Sequence, residues 1–177
     1  GRSVTLAGGT VTNNIYGGGS EANLTGNATV TVSGGQAVTV YGGGNLANVS
    51  ANTTVNISGG TLSASMFDGV RGAVFGGGYG NTTLVGGTVT VNVNGNSTIT
   101  GDVYGGSAKG KVNTTNGSSR TEGAVTNVSL TSGTINGSLY GGGLGDDTNE
   151  ADVYGPVTVT TAGDVIDNKR PDRKSVV

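Results

Sequence analysis

Acidic side chains are the residues of this chain that could take part in catalysis. Cleavage of a glycosidic bond uses two carboxyl groups, or a base beside a cation that stabilises the developing charge. No His is present to act as a base near neutral pH. We therefore expect no enzymatic activity, and the alternative left open is a carboxylate pair formed by Asp68 and Asp102. The carboxylates before residue 164 are Glu21, Asp68, Asp102, Glu122, Asp146, Asp147, Glu150 and Asp152.

Four of these carboxylates lie close together in the segment 146–152, which we call the acidic loop. They are Asp146, Asp147, Glu150 and Asp152, and glycines precede them as in one half of a calcium-binding nonapeptide repeat. Calcium needs six to eight oxygen ligands, and such repeats bind it between successive copies. The other Gly-rich segments have no Asp at this place. We expect a solvated loop and no cofactor, with a single adventitious calcium ion as the alternative.

Five aromatic residues recur in one sequence context and could bind sugar rings by stacking. Each follows an aliphatic residue and precedes glycines, as in Val40-Tyr41-Gly42-Gly43-Gly44. If the copies stack, their rings form one column, which we call the aromatic file, with a spacing of about 4.8 Å. Packing is the favoured role, either in a corner of the coil interior or over the neighbouring glycines, and ligand binding is the alternative. The aromatic file comprises Tyr16, Tyr41, Phe75, Tyr104 and Tyr140.

A run of alternating apolar and polar residues precedes each aromatic motif. Val30-Thr31-Val32 and Val55-Asn56-Ile57 are examples, and this alternation predicts strands with one buried face. A shorter apolar spot follows each motif, at Leu24, Val49, Leu84, Val112 and Val153, so each unit contains three short strands. Such a unit buries its apolar face only by stacking on its neighbours.

The repeats therefore predict an all-β fold, a parallel β-helix of about five to six coils with three short strands per coil. A propeller or a sheet sandwich is the rival architecture. Two inward ladders and one outward ladder are expected on the first strand of each unit. They are Val4/Val30/Val55/Val91/Val128/Val157, Leu6/Val32/Ile57/Val93/Leu130/Val159, and the outward Thr5/Thr31/Asn56/Asn92/Ser129/Thr158.

Two insertions interrupt the repeats, at 63–72 and at 114–123. They are rich in small and polar residues, and insertions in repeat proteins collect on surfaces that bind partners. We expect contact surfaces at 66–71 and 113–122, with Met66, Phe67 and Arg71 as binding residues of the first. Pairs such as Thr88/Thr90 and Thr158/Thr160 also occur in ice-binding solenoids, although ordinary strand propensity explains them better.

Composition excludes several classes of function. Gly accounts for 37 of 177 residues, charged residues for 11%, and the net charge is −2, so no basic surface for nucleic acid exists. Cys and His are absent, which rules out a disulfide framework and a zinc site. No apolar run reaches the length of a membrane span, so we expect no membrane insertion by this segment.

The pattern Val-Thr-Val-Ser-Gly-Gly followed by Val-Tyr-Gly-Gly-Gly-Asn, as at 30–35 and 40–45, resembles the Gly-rich repeats of bacterial surface proteins and autotransporter-type passengers. The resemblance covers roughly residues 3–163. It implies a right-handed β-helical stalk of a secreted, extracellular adhesin at the bacterial cell surface, which binds a glycan or protein of a host or neighbouring cell. The amino end shows no evident cap, so we also expect the segment to belong to a longer repeat array.

Two domains and three alternative functions follow from this pattern. Residues 1–163 form the repeat domain, and the charged residues 164–177 form a cap, a linker or a tail. An adhesin-like stalk that binds through its loops is the main hypothesis. The alternatives are a carbohydrate-binding or polysaccharide-degrading β-helix, a purely structural spacer, and, more remotely, an ice-binding solenoid.

Overall fold

A computed structural model describes residues 1–67 and 69–162, and within these residues the secondary structure consists of strands without a helix. No segment of the described chain forms a helix able to cross a membrane. The strands are β1 (Arg2–Leu6), β2 (Ile15–Tyr16), β3 (Ala28–Ala37), β4 (Val40–Tyr41), β5 (Thr53–Leu62), β6 (Ser65–Phe67), β7 (Val70–Phe75), β8 (Leu84–Val85), β9 (Val89–Val93), β10 (Thr98–Ile99), β11 (Asp102–Tyr104), β12 (Lys111–Val112), β13 (Thr126–Leu130), β14 (Thr134–Ile135), β15 (Leu139–Tyr140) and β16 (Val157–Thr161).

The first sheet joins the alternating strands in the order β1-β3-β5-β9-β13-β16, and all of these pairings are parallel. Val30 lies beside Val55, and Val32 lies beside Ile57. All four side chains are buried because the apolar positions of each strand point into one aliphatic core. The predicted inward ladders are confirmed from β1 to β13. The sheet stays open, with β1 and β16 at its edges, so it is not a closed barrel.

The last rung of this sheet differs from the prediction by two residues. Val157 pairs with Thr126 rather than with Val128, and Val159 takes the place beside Val128. The outward ladder shifts in the same way, so Thr160 rather than Thr158 lies beside Ser129. A shift of two residues keeps every side chain on its original face, and the alternation of β16 is therefore compatible with either register.

The second sheet joins the aromatic motifs in the order β2-β4-β7-β11-β15. Val40 of β4 lies beside Val74 of β7, and both belong to the aliphatic core. Tyr41 and Phe75 follow them along the strands and belong to a separate aromatic cluster. Because side chains alternate along a strand, the aliphatic residues face the core and the aromatic rings face the other side of the sheet.

A third line of pairing joins β8 and β12 and continues through single bridges. Leu24, Val49, Val85, Val112 and Val153 are the bridged residues, so Val85 replaces the predicted Leu84. Val85 is buried, whereas Leu84 is partly exposed on the other face. The prediction was wrong here because two adjacent aliphatic residues give no alternation from which to choose.

Glycines serve two purposes in and beside the strands. Gly35 lies within β3, where the register with β5 shifts, and has a φ of 79°, a left-handed conformation that glycine adopts without steric cost. Gly42, in an aromatic motif, lies so close to the carbonyl oxygen of Gly76 in the next unit that a Cβ atom would clash.

Parallel pairing between units is inconsistent with the antiparallel blades of the rival propeller.

Candidate functional site

The aromatic file forms as a continuous stack on the outer face of the second sheet. Its ring centroids are 4.8, 5.1, 4.9 and 4.8 Å apart in chain order, and no interplanar angle exceeds 13°. This spacing equals the separation of neighbouring strands, because each ring extends from an equivalent position in successive units. The stack joins Tyr16, Tyr41, Phe75, Tyr104 and Tyr140.

The three central rings of the file are buried, and its two ends are partly exposed. Tyr41, Phe75 and Tyr104 are 1%, 0% and 4% exposed, whereas Tyr16 and Tyr140 are intermediate. Burial raises the pKa of the Tyr41 hydroxyl well above its usual value. The central rings therefore pack rather than present a face to solvent, which is the role that the sequence favoured.

Polar groups nearby in the sequence hold two of the tyrosine hydroxyls of the file. The Tyr104 hydroxyl donates a hydrogen bond to Oδ2 of Asp102 at 3.2 Å, and Nδ2 of Asn14 donates to the Tyr16 hydroxyl at 3.3 Å. Asp102 also accepts a hydrogen bond from the backbone nitrogen of Ser138 at 2.7 Å. Asp102 thus supports the aromatic file, and its suggested catalytic partner Asp68 lies outside the described residues.

The first insertion forms an antiparallel hairpin, β6–β7, that covers the file. The Phe67 ring packs edge-on against Phe75 with 5.7 Å between centroids and an interplanar angle of 81°. Thr39 of the preceding unit fixes the base of the hairpin, since its hydroxyl donates to Gly72 O and accepts from Ser65 N, each at 2.9 Å. The hairpin therefore packs over the aromatic file.

The other predicted contact residues of this insertion lie at its surface. Met66 is 64% exposed, and Arg71 is exposed with Nη2 donating to the Ser63 carbonyl oxygen at 3.1 Å. Met66 and Phe67 extend to opposite sides of β6, as neighbouring strand residues do. Of the three predicted residues, Phe67 thus anchors the hairpin on the aromatic file, and Met66 and Arg71 lie at the surface.

Lysines of the preceding unit neutralise two carboxylates of the acidic loop. Nζ of Lys109 lies 2.8 Å from Oδ2 of Asp146, and Nζ of Lys111 lies 3.0 Å from Oδ2 of Asp152. The Lys109 ammonium and the amides of Thr148 and Asn149 hold the pKa of Asp146 well below its usual range. Sequence analysis missed these lysines, although they lie beside the bridges Ala108–Leu144 and Val112–Val153.

The predicted calcium ligands do not gather into one cluster. No group of three or more acidic, His or Cys side chains positioned for a metal occurs among residues 1–67 and 69–162. Oδ1 of Asp146 already accepts four hydrogen bonds, from the backbone and side chains of Thr148 and Asn149. Asp147 and Glu150 are exposed. An adventitious calcium ion remains an untested prediction.

The hairpin and the acidic loop meet at a cavity of about 340 Å³, which we call the hairpin pocket. One side is apolar, with Phe67, Val70 and Leu144, and the other carries the Lys109–Asp146 ion pair and the exposed Asp147. This combination offers a ring face together with donors and acceptors of hydrogen bonds. The folded chain therefore places two regions that are far apart in sequence around one potential ligand site. The pocket is lined by Phe67, Val70, Lys109, Leu144, Gly145, Asp146 and Asp147.

The second insertion folds onto the third line of pairing. Asn113, at its start, is fully buried, and its Nδ2 donates to the carbonyl oxygens of Gly87 and Val125 at 2.9 and 3.0 Å. The Tyr154 hydroxyl donates to Gly117 O at 2.6 Å and thereby ties the insertion to a later unit. Glu122 is exposed. Sequence analysis placed a contact surface here but missed these anchors.

No protein family, curated protein or solved structure matches this chain.

Proposed function

We propose that this chain is a non-catalytic, adhesin-like segment of a secreted bacterial surface protein, which binds a glycan or protein of a host or neighbouring cell. The hairpin pocket is the observation that carries this proposal. It joins the first insertion to the acidic loop, and it combines an aromatic wall with an exposed carboxylate. Ligand sites commonly combine apolar walls with a few placed polar groups.

The proposed architecture is a right-handed parallel β-helix of about five to six coils with three short strands each. Support comes from the parallel pairing of equivalent strands in successive units. Connections between parallel strands of one sheet are right-handed in about 98% of cases, which favours that hand here. Rods of this kind project binding loops from a rigid body, as an adhesin at a cell surface requires.

Binding to intact cells and to a glycan array tests the proposed function. We expect the purified chain to bind at least one glycan or cell surface, and the double variant Phe67→Ala/Asp147→Asn to bind at least tenfold more weakly. Leu46→Ala is the matched control, because Leu46 is 46% exposed and does not line the pocket. Absence of binding to every cell and glycan tested would contradict the adhesin proposal.

A structural spacer is the second candidate, and the burial of the central aromatic rings favours it. In a spacer, the hairpin and the aromatic file would serve stability alone. The cell-binding experiment separates the two candidates, since a spacer binds nothing through the hairpin pocket. Ice binding has less support because the columns that contain Thr are interrupted. Thr90 and Thr158 both lie beside Asn127, and Thr10 and Thr61 both lie beside Gln36.

A further inference from the structure

A second concave surface lies on the other side of the chain, along the third line of pairing. It is a groove of about 230 Å³ between the first units and the second insertion. Its volume is below the ~300 Å³ of pockets that enclose a drug-sized molecule, so it suits part of an extended ligand. Among the described residues, its lining contains no charged and no aromatic side chain. The lining residues are Asn23, Leu24, Thr25, Asn48, Val49, Ser50, Leu84, Gly86, Thr114 and Thr115.

Asparagine side chains in this groove have a fixed orientation. Oδ1 of Asn23 accepts a hydrogen bond from Asn48 N at 2.9 Å, and Oδ1 of Asn48 accepts from Leu84 N at 2.8 Å. An amide whose oxygen is bound to the backbone must direct its NH₂ group elsewhere. Asn23 is exposed and Asn48 partly exposed, so two amide donors about one strand spacing apart, about 4.8 Å, are available to a ligand.

Hydroxyl and aliphatic groups complete the groove. Thr25, Ser50 and Thr115 are exposed, and the partly exposed Leu84 supplies an apolar surface beside them. Backbone pairing with an added peptide strand is not offered here, since Leu24 N donates to Asn48 O and Val49 N donates to Leu84 O. The groove therefore offers amide and hydroxyl donors beside an aliphatic surface, and its backbone amides at Leu24 and Val49 are already paired.

We propose that this groove binds an uncharged polysaccharide chain, whose hydroxyl and ring oxygens accept hydrogen bonds from Asn23 and Asn48 while its C–H face packs against Leu84. The site is separate from the hairpin pocket, and failure of this proposal would leave the function proposed for that pocket unaffected.

Two isosteric substitutions distinguish ligand binding from a structural role. Asn48→Asp keeps an oxygen for Leu84 N and replaces the outward NH₂ donor by an acceptor. Asn52→Asp is the matched control, because Oδ1 of Asn52 accepts from Thr88 N at 2.8 Å in the same type of ladder, and Asn52 does not line the groove. Thermal unfolding of both variants measures any loss of the ladders themselves.

Calorimetric titration with cellohexaose, maltohexaose, laminarihexaose and hexagalacturonate tests the proposal. We expect at least one neutral hexasaccharide to bind, about tenfold weaker binding to Asn48→Asp, unchanged binding to Asn52→Asp, and no binding of the anionic hexagalacturonate. If Asn48→Asp does not fold, Thr115→Val replaces it with the same expected weakening.

Three results would overturn this assignment. The first is that none of the neutral hexasaccharides binds. The second is that the groove variant and the control variant lose binding equally. The third is that hexagalacturonate, or an uncharged Gly/Ser/Thr decapeptide, binds more tightly than every neutral sugar.

Discussion

The aliphatic ladders inside the chain and the aromatic file outside it are both columns of equivalent residues from successive units. Val30, Val55 and Val91 form part of an inner ladder, and Tyr41 and Phe75 form part of the outer file. All five side chains are buried, but different parts of the chain bury them. The inner ladders are enclosed between the sheets. The outer file is covered by Phe67 of the hairpin, by Tyr79, whose ring packs edge-on against Tyr41 at 5.9 Å, and by residues near the acidic loop.

The residues of the inner ladders therefore define the fold, whereas the residues of the aromatic file belong to a local feature, the hairpin and the pocket beside it. Substitutions in the inner ladders change the packing of the aliphatic core, and therefore affect every sheet that packs against it. Substitutions in the aromatic file first affect the packing of the hairpin and the shape of the hairpin pocket. Removing the cover would expose the aromatic rings while leaving the parallel pairing intact.

An acidic side chain in an inner ladder should unfold the chain. Ile57 is fully buried between Val32 and Val93, and Ile57→Asp would place a carboxylate there without a partner. An unpaired buried charge costs about 4–5 kcal/mol or more, a large part of the total stability of a domain. We expect loss of the β-sheet circular dichroism signal at 25 °C.

Asn56→Asp is the control for this substitution, because Asn56 lies next to Ile57 on the outward face. Its Oδ1 accepts a hydrogen bond from Nδ2 of Asn92 at 2.9 Å, and an Asp oxygen can take its place. We expect this variant to keep the fold. Equal unfolding of both variants would show that the facing of β5 has been assigned wrongly.

Truncating a central ring of the outer file should destabilise the chain without changing its strand pairing. Phe75→Ala removes a buried ring that contacts Tyr41, Tyr104 and Phe67, at a cost of about 3–5 kcal/mol. Tyr16→Ala at the end of the file should cost only about 1 kcal/mol, since Tyr16 stacks on one ring and is partly exposed. Thermal denaturation compares the two, and a larger effect at Tyr16 would contradict the proposed cover.

Much of the inner architecture could be predicted because alternation and repetition both specify it. The ladders from Val4 to Val128 follow directly from residues that recur at equivalent places. Prediction was wrong where these signals allow two solutions. The run Val157-Thr158-Val159 pairs equally well after a shift of two residues, and Leu84-Val85 offers two adjacent aliphatic candidates for one inward position.

The outer site was less predictable because its contacts join segments that share no periodic signal. Sequence analysis identified Phe67 and Asp146 separately but gave no indication that they line one pocket. It also missed Lys109, which lies in a left-handed conformation with a φ of 69°, where glycine is the expected residue. The orientation of the aromatic rings was left open, since a repeated Tyr is compatible with either face of a short strand.

The acidic loop should make a pH-dependent contribution to the stability of the folded chain, the smallest of the three effects. The pKa of Asp146 is lowered in the folded chain, chiefly by Lys109. A carboxyl with a lowered folded-state pKa contributes stability above its ordinary pKa of about 3.9 and loses it as the pH falls below that value. The parent should therefore melt at a higher temperature than Asp146→Asn at pH 7, and the difference should shrink between pH 4 and pH 2.

Asp147→Asn is the control for this measurement. Because Asp147 is exposed, its substitution should leave the melting temperature nearly unchanged. A difference that stays constant down to pH 2 would mean that the ion pair with Lys109 does not hold the loop against the hairpin pocket.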